Sequence, residues 1–243
     1  MDIKPAIIVP HEVGAQNADL AKAQSRLDNS RSYKNLSTVI ICPTRGGRSL
    51  TPRFVSALQG MMRPMNQMVV GPFFMTGMEV GAAYNAAIEM ILANPQLAKF
   101  KYVLTVEDDN IMPPDGLLKL YEGIRDYDAV GALYWTKGEE GQPMIYGDPN
   151  AGTLNFIPQR PIENTLQRCL GLGMGFTLFR MDVFRKLAKP WFVTHQSFKP
   201  GEGVKAYTQD LYAFENMAKL GMKVACDTRV RVGHFDDEND RVW

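Results

Sequence analysis

The clearest hydrophobic pattern in the chain starts at Thr38. Thr38-Val39-Ile40-Ile41-Cys42 is a continuous, largely β-branched run closed by Pro43, as expected of a strand buried on both faces. Thr51-Pro52 then reads as an N-cap followed by proline at the first helical position, and predicts a helix to about Met61. Gln67-Met68-Val69-Val70 predicts a second strand. From Val80 to Ala93 the apolar residues Ala83, Ala86, Ala87, Met90 and Ile91 recur at helical spacing. Lys101 to Val106 predicts a third strand, Pro113-Pro114-Asp115 opens a helix that ends near Asp126, and Ala129 to Tyr134 predicts a fourth strand. This alternation implies right-handed crossovers and an α/β domain with a mostly parallel central sheet flanked by helices. Ligands of such sheets bind beyond the carboxyl ends of the strands, so the segments after Cys42 and Val106 are where chemistry is expected.

The pattern is more mixed on either side of this block. Residues 143–160 are rich in Gly, Pro and Asn and read as hairpins or loops. Met181 to Ala188 predicts a short helix, Thr208 to Leu220 a longer one stopped by Gly221, and Lys223–Cys226 and Arg229–Val232 two late strands. Near the N-terminus, Ile7-Ile8-Val9-Pro10 reads as a short edge strand, and Asn17 to Asn29 as a helix with a thin apolar face. Residues 1–36 are therefore read as an arm that packs on the domain or on a neighbouring subunit, which makes a homo-oligomer an expectation. Residues 37–243 form the domain.

Composition narrows the class. A net charge of +1 gives no general surface for nucleic acid, which needs a basic excess. Cys42, Cys169 and Cys226 are far apart, without zinc-like spacing, and read as buried thiols in a reducing compartment. No apolar run approaches the roughly 18 residues of a membrane span, and the chain does not open on a secretory signal pattern. A cytoplasmic protein is the expectation.

Glu107-Asp108-Asp109-Asn110 follows the third strand directly. Three consecutive carboxylates are costly unless they meet cations or water. At the carboxyl edge of a sheet they suit Mg²⁺ or Mn²⁺, hard ions that share oxygen ligands with substrate phosphates. The competing reading is a solvated turn capping the helix after Pro113.

Tyr102-Val103-Leu104-Thr105-Val106-Glu107-Asp108-Asp109, then Pro113-Pro114 and a helix, resembles the DxD region of GT-A glycosyltransferases of the family 2-like group. Glu107 stands where that family more often has Asp. The resemblance implies that Asp109 binds the metal, that Asp108 contacts the donor's ribose or the metal, and that Glu107 is a further candidate ligand. Other segments fall in the family's order. Val39 to Arg45 resembles the first strand and the turn that meets the nucleotide base, which makes Pro43, Thr44 and Arg45 donor contacts. Arg45 and Arg48 also suit phosphate, or are simply solvated. Gly81 to Ala87 is similar to a helix start of the family, with Tyr84 in place of its arginine and Asn85 retained as a donor contact, although close helix packing explains the alanines equally well.

Gly171 to Arg180 is similar to the glycine-rich segment that approaches donor sugar and acceptor, with Gly173 as the close contact. Thr208 to Phe214 resembles the helix start whose acid is the general base in inverting members, and Asp210 matches it. An acid there is also good helix capping, worth about 0.3–1 kcal/mol. His234, after a late strand, stands where several GT-A enzymes have a metal ligand. Trp135 suits stacking or the core, and the tail from Asp236 to Arg241 is either solvated or closes over the site.

The resemblance implies Mn²⁺- or Mg²⁺-dependent transfer of a sugar, with inversion, from a UDP- or GDP-type nucleotide-diphosphate donor to a hydroxyl on an unidentified acceptor. Two alternatives stay open: a non-catalytic sugar- or nucleotide-binding or assembly protein on the same fold, and a sugar-phosphate nucleotidyltransferase. The letters of the latter's glycine-rich loop occur between Pro43 and Pro52 in a different order.

Overall fold

The computed structural model describes residues 20–44, 46, 49–199 and 203–243. The expected strand at Ile7–Pro10 and the expected donor contacts Arg45 and Arg48 lie outside the described residues. The helices are α1 (Leu20–Asn29), α2 (Pro52–Gly60), α3 (Val80–Ala93), α4 (Gly116–Gly123), α5 (Met181–Lys186) and α6 (Gln209–Lys219). The strands are β1 (Thr38–Thr44), β2 (Val69–Thr76), β3 (Tyr102–Val106), β4 (Asn110–Ile111), β5 (Ala129–Leu133), β6 (Ile145–Tyr146), β7 (Leu166–Cys169), β8 (Gly171–Leu172), β9 (Phe176–Arg180), β10 (His195–Lys199), β11 (Gly203–Tyr207), β12 (Val224–Arg231), β13 (Gly233–Asp236) and β14 (Arg241–Val242).

A 7-stranded sheet in the order β2-β1-β3-β9-β5-β12-β7 forms the centre. Strands β1, β2, β3, β5 and β12 run one way, while β9 and β7 run against their neighbours. Side chains alternate between two apolar layers. Val39 and Ile41 of β1 join Tyr84, Ile88 and Phe214 from α3 and α6 on one face. Ile40 and Cys42 join Phe54, Leu117 and Leu120 from α2 and α4 on the other. The three cysteines are buried and unpaired, as their spacing implied. Thr51 caps α2 by accepting from Phe54 N at 3.2 Å, with Pro52 behind it.

Three elements depart from the sequence reading. The second strand does not stop at Val70 but runs through Gly71-Pro72 to Thr76. Proline is tolerated there because β2 is the edge of the sheet, with only β1 beside it. The two late strands are one strand, β12, with a register shift between Asp227 and Arg231. Phe176–Arg180, read as the end of a glycine-rich segment, is strand β9, inserted antiparallel between β3 and β5. Of the arm, α1 buries Ala23, and its Arg26 bonds Asp115 (3.0 Å) and Glu122 (3.1 Å) at the two ends of α4. Among the described residues, no helix is long and apolar enough to cross a membrane.

Candidate active site

Strands β1 and β3 are parallel neighbours, so their carboxyl ends open on one side of the sheet. A cavity of about 370 Å³ lies there. Pro43 and Thr44 line it from the end of β1, Glu107, Asp108 and Asp109 from the end of β3, Val80 from the start of α3, and Gln209 from the start of α6. Segments far apart in sequence thus meet at one mouth. Asp108 and Asp109 also border a small neighbouring depression with Phe235 and Asp237 of the acidic tail.

The polar wall of this mouth is tied together by the end of the chain. β13 pairs with β4, placing His234 opposite Asn110, and Phe235 N donates to the Asp109 carbonyl at 2.7 Å. His234 Nδ1 lies 2.7 Å from the Trp135 carbonyl. A carbonyl only accepts, so Nδ1 carries a proton and Nε2 is the ring nitrogen left to meet Asp109. That Nε2 faces Asp109 Oδ2 at 3.4 Å. Lys137 Nζ reaches the same oxygen at 2.7 Å. Burial alone would raise the Asp109 carboxyl, but His234 and Lys137 outweigh it and hold it down to about 2.

Two of these groups have the chemistry of divalent-ion ligands. Among the described residues no group of three or more His, Cys, Asp and Glu is placed to hold a metal by itself. Asp109 and His234 nevertheless present an oxygen and an imidazole nitrogen side by side, with the other ring nitrogen fixed by a backbone carbonyl, as metal-bound histidines have it. Mg²⁺ and Mn²⁺ sites that hold nucleotides take few protein ligands and complete the shell with phosphate oxygens and water. Lys137, the cation now on Asp109, would be displaced or would turn to the phosphates.

Glu107 is placed differently. Tyr84, fully buried on α3, donates its hydroxyl to Glu107 Oε1 at 2.9 Å. Burial, and then the nearby charge of Asp109, push Glu107 up to about 8 despite the tyrosine bond. Glu107 therefore carries a proton at neutral pH and is a poorer ligand than Asp109. Between the ordinary 4.5 and about 8 the folded state holds a proton that the unfolded chain has lost, so this group's contribution is fully present below about 4.5 and is lost as pH rises to 8. Asp109 acts with the opposite sign, its contribution being lost only as pH falls from 3.8 to about 2. In EDTA the melting temperature is expected to fall from pH 5 to pH 8. Glu107→Gln, which keeps an acceptor for Tyr84, should flatten that decline in a thermal-unfolding series.

Asp210 is the second residue of α6, next to Gln209 on the cavity wall, and is only 6% exposed. Burial raises its pKa, against a side-chain hydrogen bond with Thr208 and the Leu211 N–H, which donates to Oδ1 at 2.9 Å. Its charge also contributes to raising Glu107, which places the two carboxyls in one electrostatic neighbourhood.

Two of the expected donor contacts lie elsewhere. The Asn85 amide donates to the Gly81 and Phe192 carbonyls (2.9 and 2.7 Å) and accepts from Trp191 N and Phe192 N (2.9 and 3.2 Å). It ties the 191–192 segment to α3 and does not line the cavity. Gly173 is buried, and a Cβ there would lie 2.0 Å from the Tyr134 hydroxyl. That hydroxyl accepts from Gly175 N at 2.9 Å, and Gly175 O accepts from Glu107 N at 3.1 Å, so the glycines pack the back of the acidic turn. Gly173→Ala is expected to destabilise by about 1–3 kcal/mol as Tyr134 is pushed from its bond, which denaturant unfolding would measure. Lys137 escaped the sequence reading, although it follows the fourth strand at the same carboxyl edge.

No protein-family model matches the chain. No curated protein matches it either. Among solved structures, A197 from STIV aligns with a TM-score of 0.57 at 17% identity, over 85% of this chain and 92% of that one. The fold is GT-A, that of nucleotide-diphospho-sugar transferases. A putative glucose-1-phosphate thymidylyltransferase from Bacillus anthracis, in complex with a sucrose, aligns more loosely, with a TM-score of 0.43 at 11% identity over 82% of this chain and 89% of that one. Tyr84, on α3, and Glu107, at the acidic turn after β3, bond to each other.

Proposed function

We propose that the protein is a glycosyltransferase that moves a sugar from a nucleoside-diphosphate donor to an acceptor hydroxyl. One observation carries this reading: a single cavity at the carboxyl edge of a GT-A sheet collects Pro43 and Thr44, the acidic turn and the start of α6 beside Asp210. In this reading Pro43 and Thr44 border the base and ribose, and Asp108 takes a ribose hydroxyl. Asp109 and His234 hold Mn²⁺ or Mg²⁺, which when bound neutralises the leaving diphosphate. Lys137 turns from Asp109 towards the phosphates and adds a second positive charge. Asp210, its proton affinity raised by burial, takes the proton of the attacking hydroxyl. The hydroxyl oxygen attacks the anomeric carbon from the face opposite the leaving diphosphate, so the new glycosidic bond forms as the carbon–oxygen bond to the diphosphate breaks, and the centre inverts.

The test is a thermal-shift panel of UDP, GDP and their sugars, each with and without Mn²⁺. A nucleotide bound only by the folded state raises the melting temperature. A rise with one diphosphate that requires Mn²⁺ is expected and would name the base. No rise with any diphosphate at millimolar concentration would remove this reading.

A further inference from the structure

A second cavity opens at the other end of the sheet. It measures about 590 Å³, within the usual range for small-molecule sites. Tyr102 opens β3 and lines this cavity, whereas the acidic turn follows Val106 at the far end of the same strand. At about 3.3 Å per residue the two sites are separated by roughly 13 Å of strand.

Its lining carries four cationic side chains, three phenols and two acids. Lys34, Lys101 and Arg125 border it, and none of their charged heads makes a hydrogen bond or ion pair among the described residues. Among the described residues the hydroxyls of Tyr33 and Tyr102 make no hydrogen bond either. Burial raises both phenols above their ordinary value, so both stay protonated as donors. The two acids on the wall are engaged elsewhere. Glu122 bonds Arg26 and Arg229 at 3.1 and 3.0 Å, and Asp182 pairs with Arg185. Arg180 is a fixed strut whose guanidinium donates to the carbonyls of Tyr127, Ile124 and Arg125. Three cations and two phenols therefore converge on one space with no acceptor of their own.

The wall is also built to hold still. Residues 31–36, the last part of the arm, are pinned from outside. Asn66 Nδ2 donates to the Arg31 and Tyr33 carbonyls at 2.6 and 2.8 Å, Gln67 Nε2 to Tyr33 O at 2.7 Å, and Leu36 N to Gln67 Oε1 at 2.7 Å. Asn35 completes the turn at φ +58, a left-handed conformation that asparagine tolerates better than most residues.

We infer that this cavity is a second ligand site, separate from the donor cleft, that takes a small phosphate monoester. A phosphate offers only acceptors and negative charge, matching a lining of donors and positive charge. The polar remainder of the lining suits a hydroxylated body such as a sugar. The inference is independent of the transferase reading.

The test is calorimetric titration of the full chain in EDTA with glucose 6-phosphate, inorganic phosphate and glucose. Glucose 6-phosphate is expected to bind and glucose not to. Arg125→Gln and the Lys34→Gln/Lys101→Gln double variant, all at exposed positions, are each expected to weaken binding roughly tenfold or more while the melting temperature holds. Asp109→Ala should leave the affinity unchanged. If inorganic phosphate binds as tightly as glucose 6-phosphate, the site is still an anion site, with the phosphate group as its whole determinant. Binding that survives the cation variants, binding lost in Asp109→Ala, or no binding of either phosphate would overturn the inference.

Discussion

Asp210→Asn is expected to lower the rate of donor turnover by roughly 10²–10⁴-fold, the usual contribution of a general base, with little change in donor affinity. The substitution keeps Oδ1, which accepts from Leu211 N, so α6 retains that bond. It removes the capacity to take a proton. The donor's slow transfer to water provides the readout, because the acceptor is unidentified. Wild type should lose activity as pH falls through the raised pKa of Asp210, and that acidic limb should vanish in the variant. Stability should move the other way. A buried carboxyl with raised pKa costs the folded state its ionised form at neutral pH, so the neutral amide is expected to melt slightly higher. Turnover within a few-fold of wild type would place the base elsewhere.

The second large effect concerns metal affinity, and two substitutions at one contact are expected to act with opposite sign. Asp109→Asn should weaken Mn²⁺ binding by roughly 10–100-fold or more, because a carboxylate held near 2, ionised throughout the working range, becomes a neutral amide. Lys137→Met should strengthen it, by about tenfold. Lys137 Nζ lies 2.7 Å from Asp109 Oδ2, and a divalent ion must compete with that ammonium for the same oxygen. Electron paramagnetic resonance of free Mn²⁺ during titration, without nucleotide, reads both. Equal affinity in wild type and Lys137→Met would show that lysine and metal do not share the oxygen.

The expectations that held have a common physical source. β1, β3 and β5 are unbroken apolar runs with turn residues at both ends, so local pattern alone marks them. β9 is as buried, but its place between β3 and β5 is decided by pairings such as Val106 with Phe176, which no local window contains. The site divides in the same way. The meeting of the acidic turn and the start of α6 at one cavity is legible because each sits at the end of an element that the sequence marks. Asn85 was not: its amide meets Trp191 and Phe192, and a helix position beside alanines gives no sign of that. Lys137 was missed because a loop lysine reads as solvated until its carboxylate is known. Glu107 and Tyr84 looked like two separate departures from a family pattern, yet they are the two ends of one hydrogen bond.

The stitching of β13 to β4 has a consequence for how the molecule comes into being. β1 to β5 supply most of the sheet from the first half of the chain, but His234, the Phe235 N–H that holds Asp109 O, and the ring contact of His234 with Tyr134 all arrive from its last stretch. Trp135 and His234 are 99 residues apart, and long loops close late because their entropy must be met before their contacts form. β9 must enter between β3 and β5, and β12 must join β5, before the sheet is continuous, so the sheet and the mouth beside Asp109 are completed together. The acidic turn thus owes its shape to pairings made far from it in sequence.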